Sequence, residues 1–188
     1  MSSSALRLHY SYGEYLRFEG DAHERHELVG GLILAMAGGT LEHARVISAI
    51  IASLSAQLAG RRCVVLDSNA RVFVPTSGNA YYPDASVVCG KLETPEQDAN
   101  AATNPSVLVE VSSPSTADYD RTDKLTDYQR ISSLAHVVLV AHEEHRIDVW
   151  TRMPDGWTAR SFRAGETAAI EGVGCALVVD DVYRDPLA

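Results

Sequence analysis

Val107 to Val111 is the stretch that most limits how this chain can fold. Four of its five residues are aliphatic, three of those are β-branched, Glu110 is set among them, and Pro105 bounds the run upstream. Such a run reads as a buried strand. A carboxylate inside it costs several kcal/mol unless it is paired, so Glu110 needs a partner, either a cationic side chain or a metal ion. A Ser/Pro/Thr turn follows at Ser112 to Thr116, and then a charged segment in which Asp120, Lys124 and Tyr128 recur every fourth position. On a helix those three share one face.

The rest of the chain supplies elements around this strand. Ser11 and Glu14 have capping-box spacing ahead of Tyr15, Leu16 and Phe18, which predicts a short helix at about residues 11 to 19. HELVGGLILAMAGG reads as a hairpin turning at Gly30-Gly31, with Glu27 in its first arm. From Thr40 to about Ala59, Leu41, Ala44, Ile47, Ile50 or Ile51, Leu54 and Leu58 keep helical spacing, and Gly60 follows. Strands are expected at Cys63 to Asp67, Arg71 to Val74 and Ala85 to Cys89, with Asp84 opening the last of these. Residues 90 to 104 read as a surface loop. Beyond a second long helix, Ala135 to Ala141, Arg146 to Thr151 and Trp157 to Phe162 read as strands, and Ala176 to Asp180 as a last one.

This order predicts an α/β (α+β) domain, a mixed β-sheet flanked by helices. At 188 residues, with no Ser/Gly/Pro linker, one compact domain is expected: residues 1–22 as an N-terminal segment with the short helix, and 23–188 as the main body. No apolar run approaches the length of a membrane span, and the start lacks the basic end and apolar stretch of a signal peptide, so a cytoplasmic location is expected. Cys63, Cys89 and Cys175 stand far apart without zinc spacing, and are expected to be buried, reduced thiols.

The net charge of −9 opposes nucleic-acid binding, which rests on Lys and Arg displacing counterions. A divalent cation among the acids would reverse the local field. The candidate constellation is Asp84, Glu110 and Lys124, with Glu27 as a fourth member. Two carboxylates at adjacent strand ends suit Mg²⁺, which takes few carboxylate oxygens and keeps its waters. With a cation and an ammonium group, such a site is equipped for phosphodiester hydrolysis. The competing reading is architectural: Asp84 caps a turn after Pro83, Glu110 and Lys124 form a buried ion pair, and Asp120 supports its helix.

The segments HELVGGLILAM, YYPDASVV and PSVLVEVSSPSTADYDRTDKLTDYQRI, with the strand pair after them, resemble the Uma-two family of restriction endonucleases, a branch of the PD-(D/E)XK nuclease superfamily. The resemblance extends over about residues 23 to 185. It implies a restriction-endonuclease-like fold with a Mg²⁺ site at its centre, Mn²⁺ being able to substitute. Asp84 and Glu110 match the two metal-binding acids, and the carbonyl of Val111 a further ligand. Most of the superfamily has a lysine two positions after the second acid. Here that position is Ser112, and the resemblance implies that Lys124 supplies the amine from the next helix, oriented by Asp120 one turn earlier. Glu27 matches an acid of the family's hairpin and His43 a histidine of its long helix, while Tyr128 completes the Asp120, Lys124, Tyr128 series.

Other signals carry less. His142 and His145 lack zinc-protease spacing and lie between strands, as a solvated turn would. No Gly-x-Ser-x-Gly elbow activates the serines of SSPS, and no dinucleotide fingerprint supports a nucleotide cofactor. Trp150 and Trp157 read as packing residues. The expectation is therefore a Mg²⁺-dependent endonuclease that hydrolyses DNA with a metal-activated water and acts as a homodimer. The alternatives are a catalytically inactive binding or assembly subunit of the same fold, or an enzyme acting on small phosphate compounds.

Overall fold

A computed structural model describes residues 9–36, 38–112 and 123–187. Helix α1 (Tyr12–Asp21) starts at the predicted capping box: Ser11 accepts from the N–H of Glu14, whose side chain returns to the Ser11 backbone. Strands β1 (His26–Val29) and β2 (Leu32–Ala35) form the expected hairpin. Gly30 and Gly31 turn it with φ of 56° and 78°, a region that disfavours side chains. Helix α2 (Leu41–Leu58) is capped by Thr40 and buries Val46, Ile50, Leu54 and Leu58; the later half of the expected stripe faces inward, whereas Leu41 is exposed and Val46 takes the inward place in the first half.

Next come β3 (Cys63–Asp67), β4 (Arg71–Val74), β5 (Asn79–Tyr81), β6 (Ala85–Cys89), β7 (Ala101–Ala102) and β8 (Val107–Ser112). After β8 the described chain resumes in a wide turn at Asp123 and Lys124 that leads into the single helical turn α3 (Leu125–Tyr128). The expected second long helix is thus short within the described residues. The carbonyls of the segment that follows it are taken up by Arg152, whose guanidinium donates to Gln129, Ile131 and Leu134. The chain then runs through β9 (His136–Ala141), β10 (Arg146–Met153), β11 (Gly156–Arg163), β12 (Thr167–Ile170), β13 (Cys175–Val178) and helix α4 (Val179–Tyr183). The predicted final strand is therefore two elements: it ends at Val178 and gives way to α4.

The described strands form three sheets: six strands in the order β11-β10-β9-β8-β6-β3, five in the order β2-β1-β5-β4-β7, and the pair β12-β13. The six-stranded sheet is mixed, as expected, since β8 runs parallel to β9 and antiparallel to β6. One face packs against α2, β12-β13 and α4 through Val107, Val109 and Val111. The other face meets the five-stranded sheet and α3 through Leu108, Val137, Leu139, Tyr81 and Tyr128. Helix α1 covers the far side of the five-stranded sheet with Tyr12 and Tyr15.

Two further expectations are corrected. Cys63 and Cys89 form a disulfide rather than reduced thiols, because β3 and β6 pair in a register that sets them face to face with Cα atoms 4.0 Å apart. Cys175 stays a free, buried thiol. The expected loop at residues 90–104 is partly interior: Ala101 and Ala102 form β7, and buried Asp98 accepts from Tyr12 and from both arms of Arg71. No helix among the described residues is long and apolar enough to cross a membrane.

Candidate active site

Alternation along β8 sends Val107, Val109 and Val111 to one face and Leu108, Glu110 and Ser112 to the other. Glu110 therefore points between the two large sheets, where it is 5% exposed. Its Oε1 accepts from the Tyr128 hydroxyl at 2.6 Å and lies 2.9 Å from Lys124 Nζ. Lys124 and Tyr128 are one helical turn apart, so a single turn after β8 delivers both groups.

Lys124 Nζ also lies 3.0 Å from Glu27 Oε1, and the same oxygen accepts the N–H of Tyr82 at 3.0 Å. Glu27 thereby ties the hairpin to the segment that enters Asp84. The rings of Tyr81 and Tyr128 stand 5.6 and 5.9 Å from Nζ, close enough for cation–π attraction in a largely dehydrated site. Burial, followed by the charges of Glu110 and Glu27, holds the Tyr128 hydroxyl well above its ordinary pKa. Tyr128 therefore stays protonated and donates to Glu110.

Asp84 sits where the β6–β8 ladder stops. The ladder pairs Val87 with Val107 and Ala85 with Val109, and one further step along that register sets Asp84 opposite Glu110. Pro83 has no N–H with which to extend the strand. The carboxylate of Asp84 takes over as acceptor, holding the N–H of Val111 at 2.7 Å. On its other side, Asp84 Oδ2 is 3.3 Å from His43 Nε2 in the first turn of α2.

The structure thus joins Glu27, Glu110, Lys124 and Tyr128 in one buried contact set, and links Asp84 to Val111 and His43. Ser112 lies two residues beyond Glu110 on the same face, and its buried Oγ has no hydrogen-bond partner among the described residues. Asp120 lies outside the described residues. Asp127, which the sequence reading passed over, is buried beside the set and accepts from Ser77, Asn79 and Tyr81. Three residues after Lys124 it has the spacing of an ordinary helix-surface acid, and nothing in the sequence marks it as interior.

Among the described residues, no three or more His, Cys, Asp or Glu side chains gather as a metal cluster. A cation here would take carboxylate, carbonyl and water oxygens, the hydrated all-oxygen shell that suits Mg²⁺ rather than zinc. Asp84 and Glu110 would supply two carboxylates and Val111 a carbonyl, with water completing the shell, while Glu27 is already engaged by Lys124. The unpartnered Ser112 hydroxyl would be satisfied by a water in that shell. The donor set fits.

Residues 12–179 match the model of the Uma2 family, described as "Putative restriction endonuclease". The chain belongs to the Uma2 family. Two uncharacterised proteins of Synechocystis are similar along almost their whole lengths. One is 32% identical over 173 residues, covering 91% of this chain and 90% of the relative; the other is 28% identical, covering 84% and 89%. A crystal structure of a "putative nuclease" from Anabaena variabilis shares the fold, with a TM-score of 0.77 at 15% identity over 92% of this chain and 97% of that one.

Proposed function

We propose that this Uma2 protein is a metal-dependent endonuclease that hydrolyses DNA phosphodiester bonds, with Asp84, Glu110 and the Val111 carbonyl holding Mg²⁺ or Mn²⁺. The observation that carries this reading is the meeting of Glu110 and Lys124 at 2.9 Å in an interior strand of a chain of this family. A cation bound there would polarise a phosphoryl oxygen and acidify a water.

The chain's own residues do the rest. The Lys124 ammonium stabilises negative charge developing on the phosphoryl oxygens, an effect amplified where water is scarce. Tyr128 fixes the orientation of Glu110 through its hydroxyl, Glu27 holds Lys124 from the opposite side, and His43 steadies Asp84. Without a cation, the acid excess of the chain repels a phosphate backbone, so DNA affinity should depend on divalent metal and fall with added salt. Two copies acting together would cut both strands of a duplex, and a homodimer is part of this proposal.

Supercoiled plasmid incubated with Mg²⁺ or Mn²⁺ tests the reading. Wild-type protein should nick it, and chelation, Asp84→Asn and Glu110→Gln should each abolish nicking. A wild type without cleavage under either metal, or variants that cut as well as wild type, would exclude it. The net charge of −9 favours a second reading, a binding or assembly subunit without activity. Calorimetry finding no divalent-cation binding at millimolar concentration would select that one.

A further inference from the structure

Asp127 is a second buried carboxylate beside the site, 6% exposed, on the same turn as Lys124. Its Oδ2 accepts from Ser77 Oγ at 2.8 Å, Asn79 Nδ2 at 2.7 Å and the Tyr81 hydroxyl at 2.9 Å. Its Oδ1 has a looser 3.6 Å contact with the half-exposed Arg130. Three donors on one oxygen leave the carboxylate a single orientation, and hence the turn that carries it.

Two of those donors lead back to the candidate site. Asn79 accepts the N–H of Gly30 at 2.8 Å through its Oδ1, so the Asp127–Asn79 bond ties the Lys124 turn to the hairpin that bears Glu27. Tyr81, held by its hydroxyl, presents its ring to the Lys124 ammonium at 5.6 Å. Lysine has a long stem with several rotatable bonds, so the aim of its ammonium depends on how rigidly its backbone and walls are held. We propose that Asp127 is a positioning residue, which through Asn79 and Tyr81 fixes the Lys124 ammonium between Glu27 and Glu110. The catalytic consequence rests on the nuclease reading; the positioning does not.

The chain has two lysines, Lys124 and Lys91. Lys91 is exposed, so protein labelled with ¹³C at lysine Cε has an internal reference signal, which Lys91→Arg assigns. Two variants separate aim from fold: Asp127→Asn, whose amide oxygen can still meet the three donors but without the carboxylate's charge and with its NH₂ turned toward Arg130, and Ser77→Ala, which removes one donor. In variants whose circular dichroism matches wild type, the Lys124 signal should move toward that of Lys91, further for Asp127→Asn than for Ser77→Ala. Plasmid cleavage by Asp127→Asn should fall roughly a hundredfold in kcat, the cost of about 1 Å of misplacement, with KM nearly unchanged. If Asp127→Asn does not fold, the shift in Ser77→Ala decides. A Lys124 signal that stays at its wild-type position in the folded variants overturns the positioning role, whatever happens to cleavage. A signal that moves in a protein whose wild type cuts no DNA upholds the positioning and removes the nuclease reading alone.

Discussion

Lys124→Met removes the ammonium from between Glu27 and Glu110 while keeping most of the apolar stem. Nζ lies 3.0 and 2.9 Å from the two carboxylates, which belong to residues only 7% and 5% exposed. Stripping one partner from a buried ion pair costs about 3–5 kcal/mol, because an uncompensated charge is left out of water. Two carboxylates are abandoned here and then face each other, so the upper part of that range applies. For a domain of this size each kcal/mol moves Tm by about 2–4 °C, so a loss of about 4–5 kcal/mol puts the expected fall at roughly 8–20 °C. Differential scanning calorimetry at neutral pH measures it directly. Millimolar Mg²⁺ should restore part of the loss, and more in the variant than in wild type, because a cation can take over the neutralising role of the ammonium. A fall no larger than that expected for an exposed surface pair, about 1 kcal/mol or less, would refute the reasoning, since the three groups would then be solvated and Lys124 not confined.

Other consequences can be measured the same way. Burial holds the His136 imidazole below its ordinary pKa, against a smaller opposing effect of Glu171. The unfolded chain therefore takes up the proton first, and this contribution to stability, complete above pH about 6.5, should be lost as pH falls toward the lower folded value. Tm measured between neutral and mildly acidic pH should show that slope, and His136→Gln should flatten it. Gly172→Ala would bring a Cβ to 2.7 Å from His136 Nε2 and 3.1 Å from the Ala135 Cβ, displacing the Gly172 N–H that donates to His136, and should destabilise by about 1–3 kcal/mol in urea melts. Denatured, unreduced protein should expose one thiol and reduced protein three, by thiol titration. Reducing the Cys63–Cys89 bridge, which spans 26 residues, should cost about 3.5 kcal/mol by the loop-entropy relation.

How much of this was readable in the sequence depends on the range of the signal. Local features placed elements closely: the Ser11 box starts α1, Gly30-Gly31 turns the hairpin, and the spacing from Leu41 to Leu58 gives α2. A carboxylate among valines predicted that Glu110 would be buried and partnered, and it is. Pairing between distant segments was not legible. That β3 and β6 set Cys63 against Cys89 is a matter of register, which no property of either cysteine announces. The three-residue β5 and two-residue β7 are too short for a period-2 pattern, and they exist because neighbouring strands supply their hydrogen bonds. Val178 and Val179 look alike in sequence, yet one ends a strand and the other starts a helix. Asp127 was missed because its inward face is set by Ser77, Asn79 and Tyr81, some fifty residues upstream.

The central claim is that Asp84 and Glu110, neighbours across the end of one strand ladder, bind the same divalent ion. Manganese titration followed by calorimetry on wild type, Asp84→Asn and Glu110→Gln tests it without reference to any substrate. The expected result is one bound ion in wild type and none in either variant at the same concentrations, with both variants folded. Binding that survives in either variant at wild-type strength, or a wild type that takes up no ion, would contradict it.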